Sequence, residues 1–267
     1  MNILFVGDVV GKAGRAILYA RLVSLKQTYK IDFTIVNAEN IAHGKGMTLK
    51  LYEELLANGV DAITLGNHAY SKSDILAFIQ KSKHIVRPLN MHPQTHGKGV
   101  QDFVIKGKTI RVINLIGSVF MDNVEETPFE AMYQLTRFNQ GKIVIVDLHA
   151  EATSEKIAFA FQFKDECAAV LGTHTHVQTA DERIMDGCAF ISDVGMTGPF
   201  NSVIGRDVQE VLERFNGNYS KRFTVSEEPA QLCAVVIVVD DETLRSKEIH
   251  RIQIRPEKEL NNEHLVL

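Results

Sequence analysis

A chain of 267 residues with 45% hydrophobic side chains can bury a large core, and it reads as one domain over residues 1–267. Its 29 Lys and Arg against 33 Asp and Glu leave a net charge of −4, which excludes the basic footprint of a long nucleic-acid binder. Three cysteines (Cys167, Cys188, Cys233) without C-x-x-C spacing argue against a disulfide framework or zinc ribbon, and no apolar run is long enough for a membrane span, so a cytoplasmic protein is expected.

In chain order, "NILFVGD" reads as a strand ending at Asp8, followed by a helical stripe of Leu18, Leu22, Leu25 and Tyr29. "FTIVNAEN" is a second strand ending at Glu39 and Asn40, and Leu51 and Leu55 mark a helix closed by Asn58-Gly59. "AITLGNH" ends at Asn67 and His68, after which Ser71 and Asp74 have the spacing of a capping box. Pro128, Phe129, Met132 and Tyr133 predict a helix stopping near Gly141. "IVIVDLHAE" carries His149, and "KIAFAFQF" alternates like a strand but, lying between two strands, is assigned as a helix. "AAVLGTHTH" ends at His174 and His176; if it stays extended, both imidazoles project to one side, with Gly172 permitting tight backbone geometry just before them. "AFISDVG", "LCAVVIVVD" and "SKEIHRIQIRP" are further strands, Val208, Val211, Leu212 and Phe215 share a helical face, and "NNEHLVL" is a loose tail.

The continuous apolar runs predict strands buried on both faces, alternating with helices in an α/β fold. In such a sheet the C-terminal strand ends gather on one side, where ligands bind. Any one of these polar endings has an ordinary reading as a cap, a turn or a packed imidazole. Five endings carrying Asp, Glu, Asn and three His, with no cysteine, compose a ligand set suited to manganese, iron or zinc, and one carboxylate can bridge two ions.

"GD" at Gly7-Asp8, "GNH" at Gly66 to His68, His149 after a strand and "GTHTH" at Gly172 to His176 resemble the ordered motif blocks of calcineurin-like metallophosphoesterases. Asp8 is followed by Val9 and Val10 where D-x-H is usual, and "NAEN" replaces G-D-x-x-D. These replacements, with "GDVVGKAGR" and "DLHAE", resemble the bacterial YmdB-like branch. The resemblance implies a four-layer α/β/β/α sandwich and a dinuclear centre of iron or manganese, with zinc also admissible. It implies phosphodiesterase activity on small phosphodiesters, 2′,3′-cyclic nucleotides included. By position it places Asp8, Asn40 and His176 around one metal, Asn67, His149 and His174 around the other, and Glu39 between them. Water activated between the ions would attack phosphorus, and His68 would protonate the leaving oxygen.

Ala69 stands where most of the superfamily has an acid after this histidine, so another group must orient His68. Asp147 and Glu151 flank His149, and ordinary polar roles are expected of both. "GDVVGKAG" is one residue short of a P-loop and has Ala13 at the magnesium position. The "GKG" pairs at 44–46 and 97–99 read as mobile turns, "RPLNMHP" as a pocket wall or a plain strand exit, and "GMTGPFNSVIG" as a loop able to close over the site. A metal- or nucleotide-sensing regulator with little turnover and a metal-dependent amidohydrolase are the alternatives, the latter needing a barrel. A homo-oligomer is compatible with all three.

Overall fold

The structure, a computed structural model, describes residues 1–91, 96–218 and 223–256. The first sheet is built from β1 (Asn2–Val6), β2 (Phe33–Asn37), β3 (Ala62–Thr64) and β4 (Ile85–Val86). The second carries β5 (Val100–Ile105), β6 (Lys108–Ile116), β7 (Ile143–His149), β8 (Ala169–Thr173), β9 (Arg183–Met185) and β10 (Cys188–Ile191). The strands β11 (Gly198–Pro199), β12 (Ala230–Val239) and β13 (Ser246–Ile254) then return to the first sheet. The order is β11-β12-β1-β2-β3-β4 with β13 on β12, and β5-β6-β7-β8-β10-β9. β1 to β4 run parallel, as do β6, β7, β8 and β10. Neither sheet is a parallel eight-stranded barrel, which removes the barrel amidohydrolase.

The helices are α1 (Gly11–Thr28), α2 (Leu49–Ala57), α3 (Pro128–Leu135), α4 (Thr153–Phe163) and α5 (Val208–Phe215). Side-chain alternation sorts the apolar runs into layers. Ile3 and Phe5 of β1 face Ile143 and Ile145 of β7 in a core between the sheets. Leu4 and Val6 turn the other way, onto Leu18, Leu22 and Leu25 of α1 and Leu55 of α2. Val144, Val146 and Leu148 of β7 pack outward on Ala131 and Met132 of α3 and on Phe159, Ala160 and Phe163 of α4. The result is the α/β/β/α sandwich, with strands apolar on both faces because both faces are covered. "KIAFAFQF" is helical, its alternation overruled by the i, i+3, i+4, i+7 burial of Lys156, Phe159, Ala160 and Phe163.

Three local expectations change. The capping box lies at Thr127 and Glu130, which starts α3; Ser71 and Asp74 instead border a short 3₁₀ helix, Ser73–Ala77, with no side-chain cap. α3 ends at Leu135 and passes through a 3₁₀ turn, Thr136–Phe138, well before Gly141. The hairpin β5–β6 was missed, although Lys106 and Gly107, both at positive φ, supply its tight turn. The tail "NNEHLVL" lies outside the described residues.

Candidate metal centre

The C-terminal ends of β1, β2, β3, β7 and β8 bring all eight sequence-predicted site residues into one connected cluster. Glu39 sits at its middle, with Oε1 2.9 Å from Asn40 Nδ2 and 3.3 Å from His149 Nε2, and Oε2 accepting from the His68 backbone N–H at 2.9 Å. Asn67 Oδ1 is 2.9 Å from His149 Nε2, whose other neighbour, His174 Nδ1, is at 3.1 Å. On the opposite flank His176 Nε2 is 3.1 Å from Asn40 Nδ2 and 4.0 Å from Asp8 Oδ1. Gly66 is compelled by this crowding: a Cβ there would stand 2.3 Å from His149 Nε2 and 2.4 Å from Glu39 Oε2.

The two histidines of "THTH" do not share the face of a strand. β8 ends at Thr173, and His174 (φ 100°) and His176 (φ 68°) are both left-handed. This costly backbone is held from outside. Asp193 Oδ2 accepts from the Thr175 N–H at 3.0 Å and its hydroxyl at 2.8 Å, and Asp8 Oδ2 from the His174 N–H at 3.3 Å. The turned chain delivers one imidazole to each flank of Glu39. Gly172 serves a close approach rather than a turn, since a Cβ would meet Ser192 O at 1.7 Å.

Each imidazole has its outer nitrogen tied and its inner nitrogen aimed into the cluster. Thr173 Oγ1 donates to Asp147 Oδ1 at 2.7 Å, so its lone pair accepts the Nδ1–H of His149 at 2.9 Å and leaves Nε2 as an acceptor. His174 Nε2 faces Glu151 Oε2 at 3.3 Å, and His176 Nδ1 faces the carbonyl of Ile204 at 2.9 Å. Asp147, expected to play an ordinary polar role, therefore orients a ring nitrogen through Thr173, while Glu151 keeps the half-exposed polar position expected of it, beside His174.

Acceptors pointed at one another repel unless a cation lies among them. Asp8 Oδ1 is buried and has no hydrogen-bond partner among the described residues, and ligand atoms of Glu39, His149 and His174 lie within 4.8 Å of one another. These donors fit a transition metal, the tied outer nitrogens being the arrangement that fixes metal-binding imidazoles. Burial pushes the Asp8 carboxyl up to about 6, with Asp193 and Glu39 adding to the effect. Burial opposes ionisation of His149, but the Glu39 carboxylate outweighs it and raises the imidazole to about 9. His174 is driven down to about 3 by burial and by His149. Burial, with Lys45 and Arg206 nearby, holds His68 below its usual value against the pull of Glu39. The buried Glu39 carboxylate thus favours positive charge beside it at the centre.

Several contributors were not legible beforehand. Lys156 is fully buried on α4, donating to Asp193 Oδ2 at 3.1 Å and Thr173 O at 2.9 Å, so a buried ion pair underpins the histidine loop. The Ser71 hydroxyl stands 3.4 Å from His68 Nδ1, a polar neighbour for the ring that Ala69 does not supply. Arg206, one residue beyond "GMTGPFNSVIG", lines a cavity of about 260 Å³ with Glu39, Asn40, His68, His174 and His176. That loop does reach the site, through Ile204. The "GKG" at 44–46 is a bonded turn, its Gly46 N–H returning to Glu39 O and its Gly44 N–H to Asn40 O. "RPLNMHP" is a strand exit as far as it is described: Arg87 donates to Pro88 O and Leu89 O, and Asn90 to Ile116 O and Glu126 O. Its His92 and Pro93 lie outside the described residues.

The profile of the YmdB-like protein family matches residues 4–252. The chain is 44% identical over 268 residues to the 2′,3′-cyclic-nucleotide 2′-phosphodiesterase of Bacillus subtilis (strain 168), covering 99% of each chain. Among solved structures it superposes on a phosphatase from Mycoplasma pneumoniae with a TM-score of 0.92 at 40% identity, over 99% of this chain and 97% of the other. It also superposes on a protein from Thermus thermophilus with a TM-score of 0.89 at 36% identity, over 95% and 99%.

Proposed function

The chain belongs to the YmdB-like protein family, and on that premise we propose that it is a metal-dependent phosphodiesterase acting on small phosphodiesters, 2′,3′-cyclic nucleotides among them, at a centre of two transition-metal ions. The observation that carries this reading is the gathering of three inner imidazole nitrogens and the orphaned Asp8 oxygen around the Glu39 carboxylate, His149 and His174 on one flank and His176 with Asp8 on the other. Asp8, Asn40 and His176 would hold one ion, and Asn67, His149 and His174 the other, with Glu39 shared. Iron or manganese suits the mixed imidazole and carboxylate set, and zinc is also accommodated. When bound, such a pair supplies Lewis acidity toward phosphoryl oxygens and acidifies water.

The chain's own residues supply the rest. Buried Asp8 and Glu39 provide the negative charge that retains cations, and the tied outer nitrogens keep the histidines from swinging away. As water adds to phosphorus, the P–O bond to the ribose oxygen breaks and His68 donates the proton that this poor leaving group needs. The His68 backbone bond to Glu39 and the Ser71 hydroxyl beside Nδ1 hold the ring at the cavity wall. A phosphodiester anion arriving there counters Lys45 and Arg206 and favours the protonated ring. The whole chain acts as one domain, and its three free, buried cysteines suit a reducing cytoplasm; no helix among the described residues is long and apolar enough to cross a membrane.

Treatment with a chelator is expected to abolish hydrolysis of 2′,3′-cyclic AMP, with manganese or iron restoring it better than magnesium. Linear and cyclic diesters are expected to outpace phosphomonoesters. Full activity with magnesium alone, or a strong preference for monoesters, contradicts the reading.

A further inference from the structure

Ile204 and Arg206, which wall the cavity over the metal centre, also form one wall of a second cavity of about 450 Å³. The remainder of its lining is Val203, Val211, Arg214, Phe215 and Phe223. The backbone of Arg206 is fixed by a tight turn, Val203 and Arg206 exchanging N–H···O bonds of 3.0 and 2.9 Å. Its half-buried guanidinium packs against Gly44, where a Cβ would stand 2.9 Å from Nη1. Among the described residues that guanidinium makes no hydrogen bond or ion pair, Glu210 acting on it only through space.

We propose that the apolar cavity is the subsite for the nucleobase of the substrate, with Arg206 at the junction holding non-bridging oxygens of the phosphodiester; this rests on the phosphodiesterase reading above. A nucleoside cyclic phosphate carries an anion at one end and an aromatic plane at the other. The two cavities match that order, with a donor-only fork between them. Among the described residues the polar side chains lining the second cavity are two guanidinium groups, so a base is gripped chiefly by stacking and dispersion. A phosphodiester brings the anion that is missing.

The test compares the metal-loaded enzyme on 2′,3′-cyclic AMP and on glycerol 1,2-cyclic phosphate, which keeps the five-membered cyclic ester and lacks the base. The wild type is expected to favour the nucleotide in kcat/KM, and Phe223→Ala to shrink that preference about tenfold, the order of one lost base–aromatic stack. Arg206→Gln is expected to raise KM for both esters. Equal treatment of the two esters by the wild type, or an unchanged preference in Phe223→Ala, overturns the subsite while leaving the phosphodiesterase reading intact. A loss in Phe223→Ala that appears equally on both esters, together with a changed mass by light scattering, marks the face as a contact between copies and also overturns it. Turnover of neither ester by the wild type is a failure of the phosphodiesterase reading itself. Equilibrium binding of adenosine 3′-monophosphate against ribose 5-phosphate then decides the subsite alone: tighter binding of the nucleotide, lost in Phe223→Ala, supports it, and equal binding overturns it.

Discussion

Replacing Thr173 by valine keeps the shape of a fully buried side chain and deletes one hydroxyl. That oxygen lies 2.9 Å from His149 Nδ1 and 2.7 Å from Asp147 Oδ1, so both partners lose a bond at once. Asp147 keeps Asn37 Nδ2 at 2.9 Å on its other oxygen, whereas among the described residues His149 Nδ1 is tied through Thr173. A buried polar group stripped of its partner costs about 1–3 kcal/mol, so Thr173→Val is expected to lower the stability of the metal-free protein by about 2 kcal/mol. The larger effect falls on the metal. Losing the partner that orients a ligating imidazole typically weakens metal binding by about 10- to 100-fold. Only the site made by Asn67, His149 and His174 should weaken, because no other ligand is tied through Thr173. Competition with a chromophoric chelator resolves this as one affected step of two. Thr173→Ser retains both bonds and is expected to bind near the wild-type level. Unchanged affinity in Thr173→Val, or equal damage in both variants, refutes the orienting role.

Glu39→Gln is expected to lower occupancy of both proposed metal positions, since in that proposal they share its carboxylate, and elemental analysis showing one full site contradicts a bridge. His68→Ala is expected to keep its metal and to lose about 10²- to 10⁴-fold in kcat on 2′,3′-cyclic AMP. Its loss on bis-p-nitrophenyl phosphate should be much smaller, because the phenolate departs without a proton; equal losses would indicate charge stabilisation instead, and lost metal would make His68 a ligand. Lys156→Met strands the buried Asp193 charge and is expected to cost about 3–5 kcal/mol in urea unfolding. A cost under about 1 kcal/mol would show that the pair does not brace the histidine loop.

The sandwich was legible because strands covered on both faces must be apolar throughout, and "NILFV" and "IVIV" display that without ambiguity. The site was legible because each of those runs ends in a residue that a buried strand has no use for. What stayed hidden depends on contacts between distant positions. Lys156 and Asp193 meet across 37 residues, and a lysine within an apolar helix reads as a solvated face, since unpaired lysines are almost never buried. The left-handed turns at His174 and His176 carry no glycine to announce them; they exist because Asp193 and Asp8 hold the backbone there. Ser71 had the spacing of a cap, yet its hydroxyl stands beside His68 and the chain after it tightens into a 3₁₀ turn. Arg206 lacked any local signal, being a cation in a polar loop until the fold brings it over Glu39.

Titrating metal-free protein with manganese while following hydrolysis of 2′,3′-cyclic AMP tests the two-metal phosphodiesterase most directly. Activity is predicted to be absent at the start and to reach its plateau at two equivalents per chain. A plateau at one equivalent, or turnover before any metal is added, would contradict it.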